Sequence, residues 1–409
     1  MWTSLSLLRP KFLGIFLLLG FVSGFWVVPR IIRIPEPQNE ARFHHHLGDG
    51  FTELGVVNAH LYWKQNGYAA TSFLPCITDS HLGRNDCPLY THYPAGFYLF
   101  SSLLLDGFEK LFDASTALQA TRYFLYFLSL SLSALALFLL SEALGLGMLA
   151  TVVATATLGL SRGFWLFADN LFGNGFVLSL FGILVALMLG KKNRFGCFFL
   201  LSITTTFFSV ELIPALFLLP GLRWIFAREI KKRELFCYWA LAAGAVALIM
   251  GIRILQNAWY VGNLGSAVSD WVGVVRFRVA GGTYATAPAE QRIDVAFDEK
   301  FFRSFLPVWV DHQRLLVTKL GLLLLWGGLG FLAAFRQKRE FLLLFATYLI
   351  ALQWSFLFVQ HSMIHLFTVR YVIWALALSA ALLTEFMARH LGISRVESHT
   401  KNDQTEVAV

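Results

Sequence analysis

The sequence predicts an all-α polytopic membrane protein with about ten transmembrane helices and interfacial helices in a long first external loop. Three observations predict it. The 409-residue chain is 57% hydrophobic and only 14% charged, against about 25% charged in a typical soluble domain. Its apolar residues fall into runs near the length needed to cross a bilayer. Its basic residues gather in short clusters between those runs, the pattern that orients membrane proteins. The net charge of +8 therefore reads as topology, and nucleic acid is excluded as a partner.

Phe12–Val28 is the first span, and Arg9 and Lys11 place its start in the cytoplasm. It ends in Trp26-Val27-Val28-Pro29-Arg30 with no small-residue cleavage site, so it reads as a retained span and not a signal peptide. An external segment, about 30–121, follows, in which Leu54–Trp63 and Phe97–Phe112 have helical character. Phe97–Phe112 contains Asp106 and closes on Glu109 and Lys110. Read as a span, it would turn the clusters Lys191-Lys192-Asn193-Arg194 and Arg336-Gln337-Lys338-Arg339 outward. The charge bias makes it an interfacial helix instead.

Tyr123–Leu140, Met148–Phe167 and Leu171–Leu189 are the next spans, followed by a short pair, Phe195–Phe208 and Leu212–Phe226, hinged at Ser209-Val210-Glu211. After the basic loop Arg228–Arg233, Leu235–Leu255 leads out to a second external segment, about 256–314. Leu315–Phe335, Phe341–Val359 and Phe367–Met387 complete the set. Residues 1–390 thus form one membrane domain, and 391–409 a polar cytoplasmic tail expected to be disordered. No internal repeat is visible, which weighs against a repeat-built transporter.

The chemistry-bearing stretch runs from Glu36 to Gly96. Asp49, in a Gly-Asp-Gly turn, is either an ordinary exposed turn carboxylate or a general base whose pKa is raised by partial desolvation near the headgroup plane. Glu53 suits either catalysis or the first turn of a helix. His44-His45-His46 cannot all face one metal and reads as solvated or anion-binding. Tyr90–Gly96 offers His92 and Tyr93, as substrate ligands or as a rigid Pro turn that positions a helix. Asp169, Glu211 and Arg370 lie at outer span ends, where ionisable groups are functional candidates by default. Arg370 could grip a phosphate in bidentate fashion or snorkel to a headgroup. His361 and His365 stand one turn apart but lack the intervening Glu of a zinc protease, so they read as interfacial polar residues. Cys76 and Cys87 share the polar segment, where an oxidising compartment would allow a disulfide; Cys197 and Cys237 read as packing residues.

The arrangement resembles the GT-C superfamily of membrane glycosyltransferases, in the branch of the aminoarabinose and protein-mannosyl transferases. One span precedes a long external loop with the early acid Asp49 and a helix ending in Asn66-Gly67-Tyr68; Tyr90–Gly96 then leads to interfacial helices, and Ala120-Thr121-Arg122 opens the second span. Asp169, the short pair around Glu211 and the late Arg370-Tyr371 complete the likeness. Many relatives show an Asp-Glu pair where this chain has Asp49-Gly50, with Glu53 the nearest Glu, so the choice of base lies between those two acids.

The resemblance implies an inverting transfer of a sugar from a polyprenyl-phosphate carrier to a glycan, lipid or protein acceptor. The reaction would run at the external face of a membrane, by preference the bacterial cytoplasmic membrane. Asp49, Glu53 and Asp169 would form the catalytic group. Arg370 would receive the departing phosphate, with Arg276, Arg278 or Arg314 as substitutes and His365 as a further ligand. His92, Tyr93 and Glu211 would hold substrate, and Phe97–Phe112 would line the groove for the prenyl tail. No cofactor is required, and a divalent metal is compatible with the reaction. The rival readings are a lipid-linked-sugar flippase or other transporter, and a membrane scaffold subunit. A transporter predicts ionisable residues deep in the spans, whereas the acids here lie at span ends or in loops.

Overall fold

The computed structural model describes residues 2–33, 50–76, 89, 95–190, 192–226, 231–280, 299–358 and 366–393. They form helices and, among the described residues, no strand. In chain order these are α1 (Trp2–Ile32), α2 (Gly50–Asn66), α3 (Gly96–Glu109), α4 (Ala114–Leu144), α5 (Met148–Leu160), α6 (Arg162–Phe167), α7 (Asn174–Leu189) and α8 (Phe195–Phe208). Then come α9 (Ile213–Phe226), α10 (Lys232–Val261), α11 (Leu264–Ala280), α12 (Glu299–Ala334), α13 (Lys338–Ala351), α14 (Gln353–Leu357) and α15 (Val372–His390). Single 3-10 turns, Val210–Leu212 and Leu366–Val369, lead into α9 and α15.

Five helical stretches are long and apolar enough to cross a membrane: Pro10–Ile32, Ala114–Leu144, Lys232–Val261, Arg303–Ala334 and Leu366–His390. At the other expected crossings α5, α7, α8, α9 and α13 have 13 to 16 residues. At 1.5 Å per residue they fall short of a hydrocarbon core of about 30 Å. Polar breaks shorten them. The expected span Met148–Phe167 is cut at Ser161, whose Oγ accepts the Phe164 N–H and caps α6. The outer segment 256–314 is itself partly helical, through α11 and the start of α12. Within α12, Thr318 (φ 68°) breaks the helix, a backbone region that β-branched residues rarely enter. Residues 394–409, including nearly all of the expected tail, lie outside the described residues.

The bundle is built around α7 and α15. α7 is buried along almost its whole length, and 89% of the apolar window of α15 is buried, against 22% for α1 and 28% for α10. Lipid attracts one apolar helix no less than another helix does, so close packing must hold the pair. Gly182 of α7 provides it, because a Cβ there would overlap the indole of Trp374. The indole Nε1 donates to the Leu178 carbonyl at 2.8 Å. α4 lies against α7 through a Ser133–Ser179 hydroxyl bond of 2.7 Å, and α1 against α4 through Ser23 and the Tyr126 hydroxyl, also 2.7 Å.

α2 and α3 dock at one end of this bundle. Phe97 of α3 sits where a Cβ on Gly173 (φ 67°) would stand, and it packs among Phe172, Phe176 and Phe208. At the other end Arg223 donates to the Gly190 carbonyl at 2.6 Å, so a buried cation caps the C-terminus of α7. Gly182→Ala is expected to lower stability by about 1–3 kcal/mol through overpacking against Trp374. A reduced thermal midpoint of the detergent-solubilised protein would show it.

Candidate functional site

Four chain segments meet around one buried guanidinium. Arg122 lies about two turns inside α4 and is fully buried, as are Glu53 in the first turn of α2 and Asp169 in the turn between α6 and α7. Arg122 Nη1 donates to Glu53 Oε2 at 2.5 Å. Its Nε and Nη2 both donate to Asp169 Oδ2, at 3.0 and 2.6 Å. Arg30, in the last turn of α1, donates through Nη2 to Asp169 Oδ1 and to the Trp165 carbonyl. Two cations and two carboxylates cancel, which is the condition for keeping charge in an apolar surrounding.

The cluster is not saturated. Glu53 Oε1, Arg30 Nε and Nη1, and both polar atoms of the Asn170 side chain are buried without a hydrogen-bond partner among the described residues. Native proteins leave few such atoms, and those that persist mark sites that take a ligand or water. Asp49 immediately precedes α2 in the chain but lies outside the described residues, as do His92, Tyr93 and His365. Arg278 belongs to α11, with its side chain outside the description.

Glu211 and Arg370 form a second buried pair, at 2.8 Å between Oε2 and Nη2. Arg370 also donates to the Phe367 carbonyl and the Tyr371 hydroxyl, while the Glu211 carbonyl accepts from Gln353. Glu211 lies within one 3-10 turn and Arg370 directly follows the other. The stacking of Tyr371 on Phe181 sets this pair against α7. Glu53 and Asp169 are thus brought together, and so are Glu211 and Arg370, in two separate clusters.

A polar clasp joins α2 to α3. His60 meets Ser102 Oγ through Nδ1 at 3.0 Å and Glu109 Oε1 through Nε2 at 3.2 Å. Lys64 donates to Glu109 Oε2 at 2.6 Å, and the Tyr68 hydroxyl to Asp106 Oδ2 at 2.5 Å. Burial pushes the Glu109 carboxyl up, but the bonds from Lys64 and His60 outweigh it and hold the group below its ordinary value. Burial, then the bond to Asp106, pushes the Tyr68 hydroxyl up to about 12. His60, Asp106 and Glu109 offer ligand atoms within 4.8 Å of one another, yet Lys64 already supplies the cation and both ring nitrogens are engaged.

Farther along, Trp63 Nε1 bonds Thr71 Oγ1 and the Leu74 carbonyl. Gln256 of α10 donates to the Ser72 carbonyl. Cys76 is buried and disulfide-bonded, whereas Cys197 and Cys237 are free; Cys87 lies outside the described residues. No protein-family model matches the chain, and neither does any curated sequence.

Arg122 and Arg30 are the members of this cluster that were not among the candidate residues read from the sequence. The available signal was cost, since an Arg at the edge of an apolar run must be paired or exposed. Arg122→Ala leaves the buried Glu53 without its cation and Asp169 with Arg30 alone, and is expected to cost roughly 3–5 kcal/mol. Arg122→Lys is expected to recover little, because one ammonium cannot reproduce the planar fork; thermal midpoints of both variants check this. Because the Glu109 pKa is depressed on folding, its contribution is present above the ordinary carboxylate value and is lost as pH falls through the folded one. The acid limb of a midpoint-against-pH curve should therefore flatten in Glu109→Gln.

Proposed function

We propose that this protein is a glycosyltransferase that moves a sugar from a polyprenyl-phosphate donor to an acceptor hydroxyl, with inversion, at the non-cytoplasmic face of a membrane. One observation carries the reading: a charge-balanced but unsaturated cluster, buried where α1, α2, α4 and the α6–α7 turn converge, directly after Asp49 in the chain. An oxidising compartment on that side agrees with the disulfide at Cys76.

Asp49 takes the proton of the acceptor hydroxyl as its oxygen attacks the anomeric carbon. The bond from that carbon to the phosphate oxygen breaks, and the lipid phosphate leaves with the electron pair. Glu53 and Asp169 act by positioning, since both are committed to Arg122; this favours Asp49 over Glu53 as the base. The phosphate role moves from Arg370, held by Glu211, to Arg30, whose Nε and Nη1 have no partner among the described residues. A preorganised cation in a water-poor site stabilises developing charge strongly. The aromatic group around Phe97 gives the prenyl chain an apolar approach along α3.

The rival reading, a lipid-linked-sugar flippase, draws on the buried Glu211–Arg370 pair beside two interrupted helices. Asp49→Asn separates the two. In membranes supplied with polyprenyl-phosphate sugar it is expected to reduce transfer by about 100-fold or more, with an unchanged thermal midpoint. Undiminished transfer removes Asp49 from the mechanism, and a parent that moves the lipid-linked sugar without transferring it establishes the flippase.

A further inference from the structure

A cavity of about 410 Å³ opens at the far end of the bundle, within the range of about 300–1,000 Å³ typical of small-ligand sites. Arg122 and Glu142 both belong to α4 and stand about 30 Å apart along it at 1.5 Å per residue. That is one hydrocarbon thickness, so the cavity lies at the membrane face opposite the ion-pair cluster. Its floor is apolar, with Leu144, Leu332 and Leu382 among the lining, and its rim is charged.

Most of the rim charges are spent on the fold. Glu385 accepts the Gly147 N–H at 2.8 Å and Arg389 Nε at 2.9 Å. Glu142 is paired with Lys11 at 2.7 Å. Two neighbours at the start of α13 are left. The Arg339 guanidinium lies over the Phe226 ring, 5.5 Å from its centroid, and neither it nor Glu340 makes an ion pair with a described residue. Among the described residues Arg389 pairs with Glu385 alone, through Nε. The cavity therefore presents guanidinium groups and one carboxylate above an apolar floor, at the depth of lipid headgroups.

A purely anionic ligand would meet Glu340, and a purely cationic one would meet Arg339. A zwitterion carrying both a phosphate and an ammonium satisfies both, and the apolar floor asks for a ligand with a hydrocarbon portion. We propose that this cavity binds the headgroup of an aminophospholipid, with Arg339 and Arg389 on its phosphate and Glu340 on its ammonium. Guanidinium–phosphate contacts are among the stronger charge-assisted bonds, and pockets of this kind between membrane helices suit lipid headgroups. The site is independent of the transferase reading.

The test uses the full chain purified in detergent, with its thermal midpoint followed on adding dioleoylphosphatidylethanolamine, dioleoylphosphatidylglycerol or free phosphoethanolamine. The ethanolamine lipid is expected to raise the midpoint by about 1–2 °C, the shift that roughly 1 kcal/mol of ligand stabilisation produces in a chain of 409 residues. The glycerol lipid should do less, and phosphoethanolamine at the same concentration little. Arg339 is exposed, so Arg339→Gln leaves the fold intact; it should weaken the lipid response about tenfold in concentration. Glu340→Gln should erase the preference for ethanolamine over glycerol lipid while keeping a response to both. No shift with the ethanolamine lipid, equal shifts with both lipids in the parent, or an undiminished response in Arg339→Gln would overturn the proposal. A free-phosphoethanolamine shift as large as the lipid's would overturn its lipid part.

Discussion

The fold depends on how Arg122 is held. A guanidinium with no exposed surface is tolerable only if opposite charge meets its donors, and the two acids that do so come from distant parts of the chain. Packing alone would let α2 slide over α4. Directional bonds from one planar fork fix α2 and the α6–α7 turn in register with it. Arg30 extends the constraint to α1 through the second oxygen of Asp169. Such a network gives less stability than well-packed hydrophobes of the same volume. What it contributes is position, and it fixes the start of α2, where the chain emerges from its polar segment.

The two ends of the bundle solve different electrostatic problems. At the Arg122 end the charges cancel, and the aromatic group around Phe97 seats α3 in the notch of Gly173. At the opposite end cations complete helix termini, as Arg223 does for the carbonyls that close α7. Excess Lys and Arg at that end follows the usual bias of membrane proteins. Between the ends polar side chains are mostly hydroxyls that bond back to their own helix or to the next one, as Ser179 does with Gly175 and Ser129. Such bonds let α4 approach α7 closely without burying charge.

Much of this was legible in the sequence, and what was not has physical causes. Apolar run length located each of the five long apolar helices, and the stretch Phe97–Phe112 coincides with α3, which packs on α2 and α4 and sets Phe97 between α7 and α8. Helix ends were less legible: Asp113 caps α4 through the Thr116 N–H at 2.9 Å, so that helix starts well before its apolar run. The break at Ser161 was hidden, since a hydroxyl inside an apolar stretch looks the same whether it bonds back to its own helix or caps the next. At the site, Asp169, Glu211 and Arg370 could be picked out because an ionisable group at a span end is costly. Their pairings could not, because which cation meets which acid is decided by the docking of α2 against α4 and of the Glu211 turn against the start of α15. Arg122 shows the difference: conspicuous in composition, it acquires a role only once three-dimensional packing brings Glu53 to it.

The break in α12 gives the bundle a mechanical partition. Below Thr318 the rod is keyed to α15, where Gly321 faces Leu376 and Gly328 admits the Ser379 hydroxyl. Above it the chain has turned through a left-handed residue, so the upper rod need not share the lower rod's axis. The two parts of this one helix therefore grip different neighbours: above the break Leu316 fills the space at Gly163 of α6, and Gln313 accepts from the Tyr348 hydroxyl of α13.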